Sequence, residues 1–354
     1  MSGLCYDCFI EVNAVEDALD ILKGQIKENR IGRLYVFHGP ESFLREHYLR
    51  QIRQKLVSPE LEGFDLETLN GSGLDFPALR DAVECVPMSG GRRVVIVSDY
   101  ALFALNAETS GHMAGLIEDL PESVCLVFHY DTLAYKADGR SKLTQAVKKY
   151  GLIVEFALQK EDQLIRWAHR HFAAEGKEIG REELSKLIFL CGADMHNLRN
   201  EIGKLACGVG GASVTKDDID KFVIPTAEAG VFALTNAIAA GRQKKAAQIL
   251  RDLTVSGAEP PVKILSVVTR QMLNLYAARL LLENKKGGQA LQTMCGMNSS
   301  YQAKITLEAA RTRRLPWFRR ALGFCFDADI TLKGGAGRER ALELLLGRLF
   351  AYEE

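Results

Sequence analysis

The stretch Leu34-Tyr35-Val36-Phe37-His38-Gly39-Pro40-Glu41-Ser42-Phe43-Leu44-Arg45-Glu46 decides how this chain reads. It is a short apolar run, then a glycine, then a segment whose apolar positions Leu49, Ile52 and Leu56 recur at helical spacing. The unbroken apolar run predicts a strand buried on both faces. Strand, glycine turn and helix are the setting of a phosphate loop, GxxxxGK[ST]. Only its first glycine, Gly39, is kept. Leu44 stands in place of the second glycine, Arg45 in place of the lysine and Glu46 in place of the hydroxyl residue. A bulky residue at 44 obstructs the close backbone turn around phosphate. A glutamate at 46 removes the hydroxyl that would ligate magnesium, and Glu41 and Glu46 together repel a triphosphate.

The acidic pair that would hold the metal is also incomplete. Val94-Val95-Ile96-Val97 runs into Ser98-Asp99-Tyr100, with one carboxylate and no adjacent glutamate. Asp99 reads as a turn cap. Two independent departures predict that this loop neither binds nor hydrolyses ATP. No cofactor and no metal are expected.

Around the loop, residues 13–29 predict an amphipathic helix. Further strands are expected at 64–69, 94–97, 124–128 and 152–156, with helices at 76–85 and 140–150. Strands alternating with helices predict a parallel sheet covered on both faces. From about residue 160 the pattern is helical only, with helices at 181–190, 194–207, 229–240, 243–255, 261–283, 298–312, 316–333 and 338–351. Thr215 with Asp218 three residues on resembles a capping box. The expected fold is therefore α/β followed by all-α: a parallel-sheet domain over 1–157, a small helical lid over 158–225, and a helical C-terminal domain over 226–354. Nucleotide-binding machines of the AAA+ type have that order of parts, and fold alone does not fix function.

The chain has 354 residues, 47% apolar and 25% charged, which argues for globular structure over disorder. No run reaches the ~18–20 apolar residues of a membrane helix, and the N-terminus lacks a signal-peptide pattern. A cytoplasmic protein that does not meet the membrane is expected. Lys+Arg and Asp+Glu both number 45, but unevenly. Residues 226–354 carry 19 against 11, net +8, which leaves 26 against 34, net −8, for residues 1–225. The C-terminal part is thus suited to an acidic partner.

Six of the eight cysteines stand alone and read as reduced thiols. Cys5 and Cys8 form a lone CxxC, a weak zinc signal. His169 and His171, like Asp327 and Asp329, are two apart on expected helices and point away from each other. No nucleophile arrangement is present. The densest basic cluster holds Arg311, Arg313, Arg314, Arg319 and Arg320 around Trp317 and Phe318. It reads either as a site for DNA phosphate and stacked bases, or as a helix junction whose aromatics pack while its arginines pair with neighbouring subunits.

Four segments in order carry a resemblance: LYVFHGPESFLREHYLRQI, VPMSGGRRVVIV, CGADMHNLRNEIGKLACGVGG with VTKDDIDKFV, and FDADITLKGGAGRERALELLLGRL. In these the chain resembles the delta subunit of the bacterial DNA polymerase III clamp loader. The resemblance implies an AAA+-like subunit with no activity of its own, within a DNA polymerase holoenzyme that is a nucleotidyltransferase. The implied partners are the sliding clamp, the ATP-hydrolysing and noncatalytic loader subunits, and DNA within the complex. It implies that the first domain grips and opens the clamp and that the last forms a collar. The clamp contact would involve Val86, Pro87, Met88, Ser89, Arg92 and Arg93. The family's usual pair of large apolar residues falls at Met88 and Ser89, so this chain has one. Two other functions are compatible with the residues alone: an active AAA+ ATPase with an unusual phosphate loop, and a DNA-binding module built on the basic C-terminal part.

Overall fold

Side chains of a strand alternate between faces, so a strand buried on both faces is apolar at nearly every position. LYVFH, RVVIVS and VCLVFH satisfy this, and they are β1 (Leu34–His38), β3 (Arg93–Ser98) and β4 (Val124–His129). The computed structural model describes residues 14–88, 90–255, 260–297, 299–334 and 340–352. Cys5, Cys8, Ser89 and the expected start of the last helix at 338 lie outside them. With β2 (Leu66–Asn70) and β5 (Leu152–Glu155), the strands form a parallel sheet in the order β2-β3-β4-β1-β5. The less buried β2 and β5 are the edges.

Tyr35, Phe37, Val94, Ile96 and Val127 face a core shared with Leu22 and Ile26 of α1 (Ala14–Lys27) and Ile52 of α2 (Ser42–Leu56). Val36, Val95, Val97, Leu126 and Phe128 face the other core. There they meet Leu79 and Val83 of α4 (Phe76–Glu84), Met113 and Ile117 of α5 (Ala107–Glu118), and Leu143 and Val147 of α6 (Lys142–Tyr150). Two details depart from the sequence reading. The strand expected from residue 64 begins at Leu66, because Glu62–Asp65 forms a helical turn, α3. Helix α5 was not expected: AETSGHMAGLIE is rich in weak helix formers, and the Asn106 side chain accepting the Thr109 N–H at 2.8 Å starts it.

The chain divides into two compact units, Met1–Leu158 and Gln159–Glu354. The second begins with α7 (Glu161–Ala174), α8 (Arg181–Cys191), α9 (Met195–Gly208) and α10 (Lys216–Phe222). The Thr215–Asp218 capping box opens α10, with both reciprocal bonds formed. A short parallel pair, β6 (Glu178–Ile179) and β7 (Ser213–Val214), also belongs here and was not expected.

Then follow α11 (Ala227–Ala239), α12 (Gln243–Val255), α13 (Pro261–Glu283), α14 (Gly288–Cys295), α15 (Ser300–Ala310), α16 (Leu315–Gly334) and α17 (Ala341–Ala351). Their shared core includes Met272, Leu275, Leu291, Trp317, Phe318 and Leu345. The boundary expected at 225/226 falls inside this unit. Across it Glu161 accepts from the Ser300 N–H at 2.8 Å, and Phe189 stacks edge-on against Phe232 with centroids 4.9 Å apart. Among the described residues no single helix is long and apolar enough to cross a membrane.

Candidate functional sites: a filled phosphate loop and an exposed apolar tip

In parallel α/β sheets, ligands bind at the carboxyl ends of the strands. Here that position follows β1, and Gly39 makes the turn with φ +111°. A Cβ at residue 39 would lie 2.5 Å from the Phe156 carbonyl oxygen, so only glycine fits. In the next turn of chain Arg45 is 2% exposed, with its guanidinium turned inward. Nε donates to His129 Nε2 at 2.9 Å, Nη1 donates to the Gly39 carbonyl, and Nη2 pairs with the Asp131 carboxylate. Glu41 is buried, and its N–H donates to the Phe156 carbonyl at 2.9 Å. Leu44 packs against the α2 side of the sheet, and Glu46 is exposed.

Asp99 ends β3 with φ +52°, a left-handed conformation that aspartate tolerates better than most residues. Its carboxylate accepts from the N–H groups of Asp131, Thr132 and Leu133 at 2.9–3.0 Å and from the Thr132 hydroxyl at 2.8 Å. Burial alone would push its pKa up. The bonds from Leu133, the Thr132 hydroxyl, Asp131 and the Thr132 N–H outweigh it, and the carboxyl titrates below its ordinary value. One network thus runs from Asp99 through the 131–133 loop to Arg45 and Gly39. Burial, and then the Arg45 charge, lower the pKa of His129. Burial also lowers that of His38, whose ring stacks on Tyr135 with centroids 3.8 Å apart.

The expected clamp-contact segment lies at the other end of the strands, in the connection from α4 to β3. Val86 is 79% exposed and Met88 73%, while Pro87 between them is buried. The buried carboxylate of Asp65 accepts the Met88 N–H at 2.7 Å. Ser89 lies outside the described residues. The two arginines correct the sequence reading, for neither is offered outward. Arg92 donates to the carbonyls of Ile31, Gly32 and Val124, the last two at 2.7 Å. Arg93 is buried and donates to the carbonyls of Ala82 at 3.2 Å and Phe64, and to the Glu67 carboxylate. Both guanidinium groups fasten the tip from within.

The basic cluster is also corrected in part. Trp317 and Phe318 are fully buried and pack edge to face, with centroids 5.2 Å apart, so neither can stack on a base. Arg313 lies over the Trp317 ring at 5.1 Å and donates to the Ala239 carbonyl at 3.1 Å; Arg320 lies over Phe324 at 5.0 Å. Arg311, Arg314, Arg319 and Arg320 are exposed.

Sequence reasoning missed Asp65, Phe64, His129 and Asp131. Phe64-Asp65 sits in a segment read as a strand. His129 and Asp131 follow an apolar strand with no motif to mark them.

A parallel sheet in this order, followed by a second unit that is helical apart from the β6–β7 pair, defines an AAA+-like fold: α/β, then predominantly α. Comparison with known proteins narrows the class. Residues 35–157 match the family model for the DNA polymerase III delta subunit, and residues 228–349 match the model for its C-terminal domain. The chain is 26% identical over 337 residues to DNA polymerase III subunit delta of Bacillus subtilis (strain 168), covering 93% of this chain and 96% of that one. It is 19% identical over 277 residues to the probable DNA polymerase III subunit delta of Aquifex aeolicus (strain VF5), covering 76% and 77%. Its fold matches the Bacillus subtilis DNA clamp loader delta protein with a TM-score of 0.55, at 23% identity, over 95% of this chain and all of that one. The chain belongs to the DNA polymerase III delta-subunit family.

Proposed function

We propose that this chain is the subunit that grips the sliding clamp and helps to open its ring for loading onto primed DNA. It acts by binding energy, without hydrolysing ATP itself. The observation that carries this reading is the exposed pair Val86 and Met88, held on a fastened loop by Asp65. Large apolar side chains left in water on a fixed backbone suit an interface, and a methionine adapts to the shape of a groove. We assign Val86 and Met88 to the contact, with Pro87 buried between them and Ser89 next in the sequence. Arg92 and Arg93 hold its shape.

In the same reading a lid over 158–225 and a collar over 226–354 follow the sheet domain. The collar joins ATP-hydrolysing and noncatalytic loader subunits in the cytoplasm. Its net charge of +8 and the exposed Arg311, Arg314, Arg319 and Arg320 support contact with acidic subunit faces or with DNA phosphate inside the complex.

Surface-plasmon titration of the full chain over immobilised clamp from the same organism tests the reading. Met88→Ala should weaken binding about ten- to a hundredfold with the melting temperature unchanged. Unchanged affinity refutes it.

A further inference from the structure

We infer that Phe64 is the second apolar anchor of the tip, standing in for the large side chain that position 89 lacks. The inference rests on the reading of the tip as the clamp contact and adds a residue from a different segment to it. Phe64 is 56% exposed, although it is aromatic and lies next to the buried Asp65. It belongs to α3, which immediately precedes the edge strand β2.

Three fastenings place this turn beside Met88. The register pairs Leu66 with Val94, so the end of α3 sits at the start of β3. The Asp65 carboxylate accepts the Met88 N–H at 2.7 Å. The Arg93 guanidinium binds the carbonyls of Phe64 and of Ala82, the latter in the helix that leads into the tip. A single buried arginine thereby ties both segments to one strand end.

Two charges beside the tip are turned inward. Asp65 is occupied by Met88, and Arg93 by two carbonyls and Glu67. The tip therefore offers Val86, Met88 and the Phe64 ring on a backbone already fixed, so little conformational entropy is lost when a partner closes on them. Aromatic rings and methionine are the side chains enriched in interfaces of this kind. The occupant is the sliding clamp, the partner of the reading on which the inference rests.

The test uses the full chain and the purified clamp from the same organism. Affinity is measured for wild type, Phe64→Ala, Phe64→Leu, Phe64→Lys and Met88→Ala, with melting temperatures alongside. Phe64→Ala should weaken binding about tenfold, Phe64→Leu about threefold or less, and Phe64→Lys at least as much as alanine. Lysine keeps an aliphatic stem over the turn, so its melting temperature should match wild type even where alanine's does not. If Phe64→Lys binds like wild type while Met88→Ala is weakened, the inference fails and the clamp reading stands. If both bind like wild type, the reading fails and the inference with it. Sedimentation completes the test: self-association abolished by Phe64→Lys, with clamp affinity unchanged, assigns the ring to a second copy and overturns the proposal.

Discussion

Arg45 Nε donates to His129 Nε2 across 2.9 Å. An imidazole nitrogen accepts a hydrogen bond only without its own proton, so this contact requires neutral His129, with any ring proton on Nδ1. A positive guanidinium against a buried ring opposes a second positive charge, which is the direction of its pKa shift.

Stability should therefore fall as the solution is acidified. His129 and His38 both have folded-state pKa values below the ordinary 6.5. Below that pH the unfolded chain binds protons that the folded chain refuses. Their contribution is complete above about pH 6.5 and declines as pH drops toward the folded-state values. Asp99 adds a further loss only under more acidic conditions, below its ordinary 3.8. Thermal melts from pH 7.5 to pH 5.5, each about a unit from the ordinary histidine value, should show a falling melting temperature. In His129→Gln the slope should be shallower. An unchanged slope would show that His129 does not contribute.

Removing the Arg45 side chain should destabilise the first unit. Arg45→Ala leaves His129 Nε2 and the Gly39 carbonyl without a donor and Asp131 without its charge partner. The expected loss is about 2–4 kcal/mol, kept below the range for a fully buried pair because Asp131 is half exposed. Guanidinium ion at low, non-denaturing concentration should raise the melting temperature of Arg45→Ala and leave wild type unchanged. Arg45→Lys should not recover the loss, since an ammonium lacks the planar fork.

Mg-ATP titrated calorimetrically into the wild-type chain should give no binding heat in the micromolar range. The Arg45 guanidinium is engaged by His129, Gly39 and Asp131, and Glu46 stands at the position of the metal-ligating hydroxyl. Micromolar binding that disappears in Arg45→Ala would overturn this and favour the active-ATPase reading.

A chain ending at Leu158 should fold and bind the clamp but fail to enter the loader. Both cores of the sheet are built from residues 22–156, and the tip lies within them. The core of the helical region is built from residues 231–349. Co-purification with the other loader subunits checks the prediction. A truncated chain that still joins them refutes the collar assignment.

The sheet and the departures from the phosphate-loop pattern were legible in the sequence because both are local. A strand buried on two faces must be apolar at nearly every position, and Leu34–Phe37, Val94–Val97 and Val124–Phe128 are. The changes at Leu44, Arg45 and Glu46 can be read one residue at a time, and so can the Thr215–Asp218 cap. Helix α5 escaped because two glycines and weak helix formers hide its face, Met113 and Ile117.

What Arg45 does instead was settled only in three dimensions. Its partners His129 and Asp131 lie more than eighty positions away and meet it because β4 pairs with β1. The direction of Arg92 and Arg93 and the bond from Met88 to Asp65 are likewise tertiary, and the burial of Trp317 follows from helix packing. In a parallel sheet neighbouring strands are joined through long crossovers. Which distant side chain faces a given residue is set by strand register and helix packing, and no local spacing in the chain encodes it.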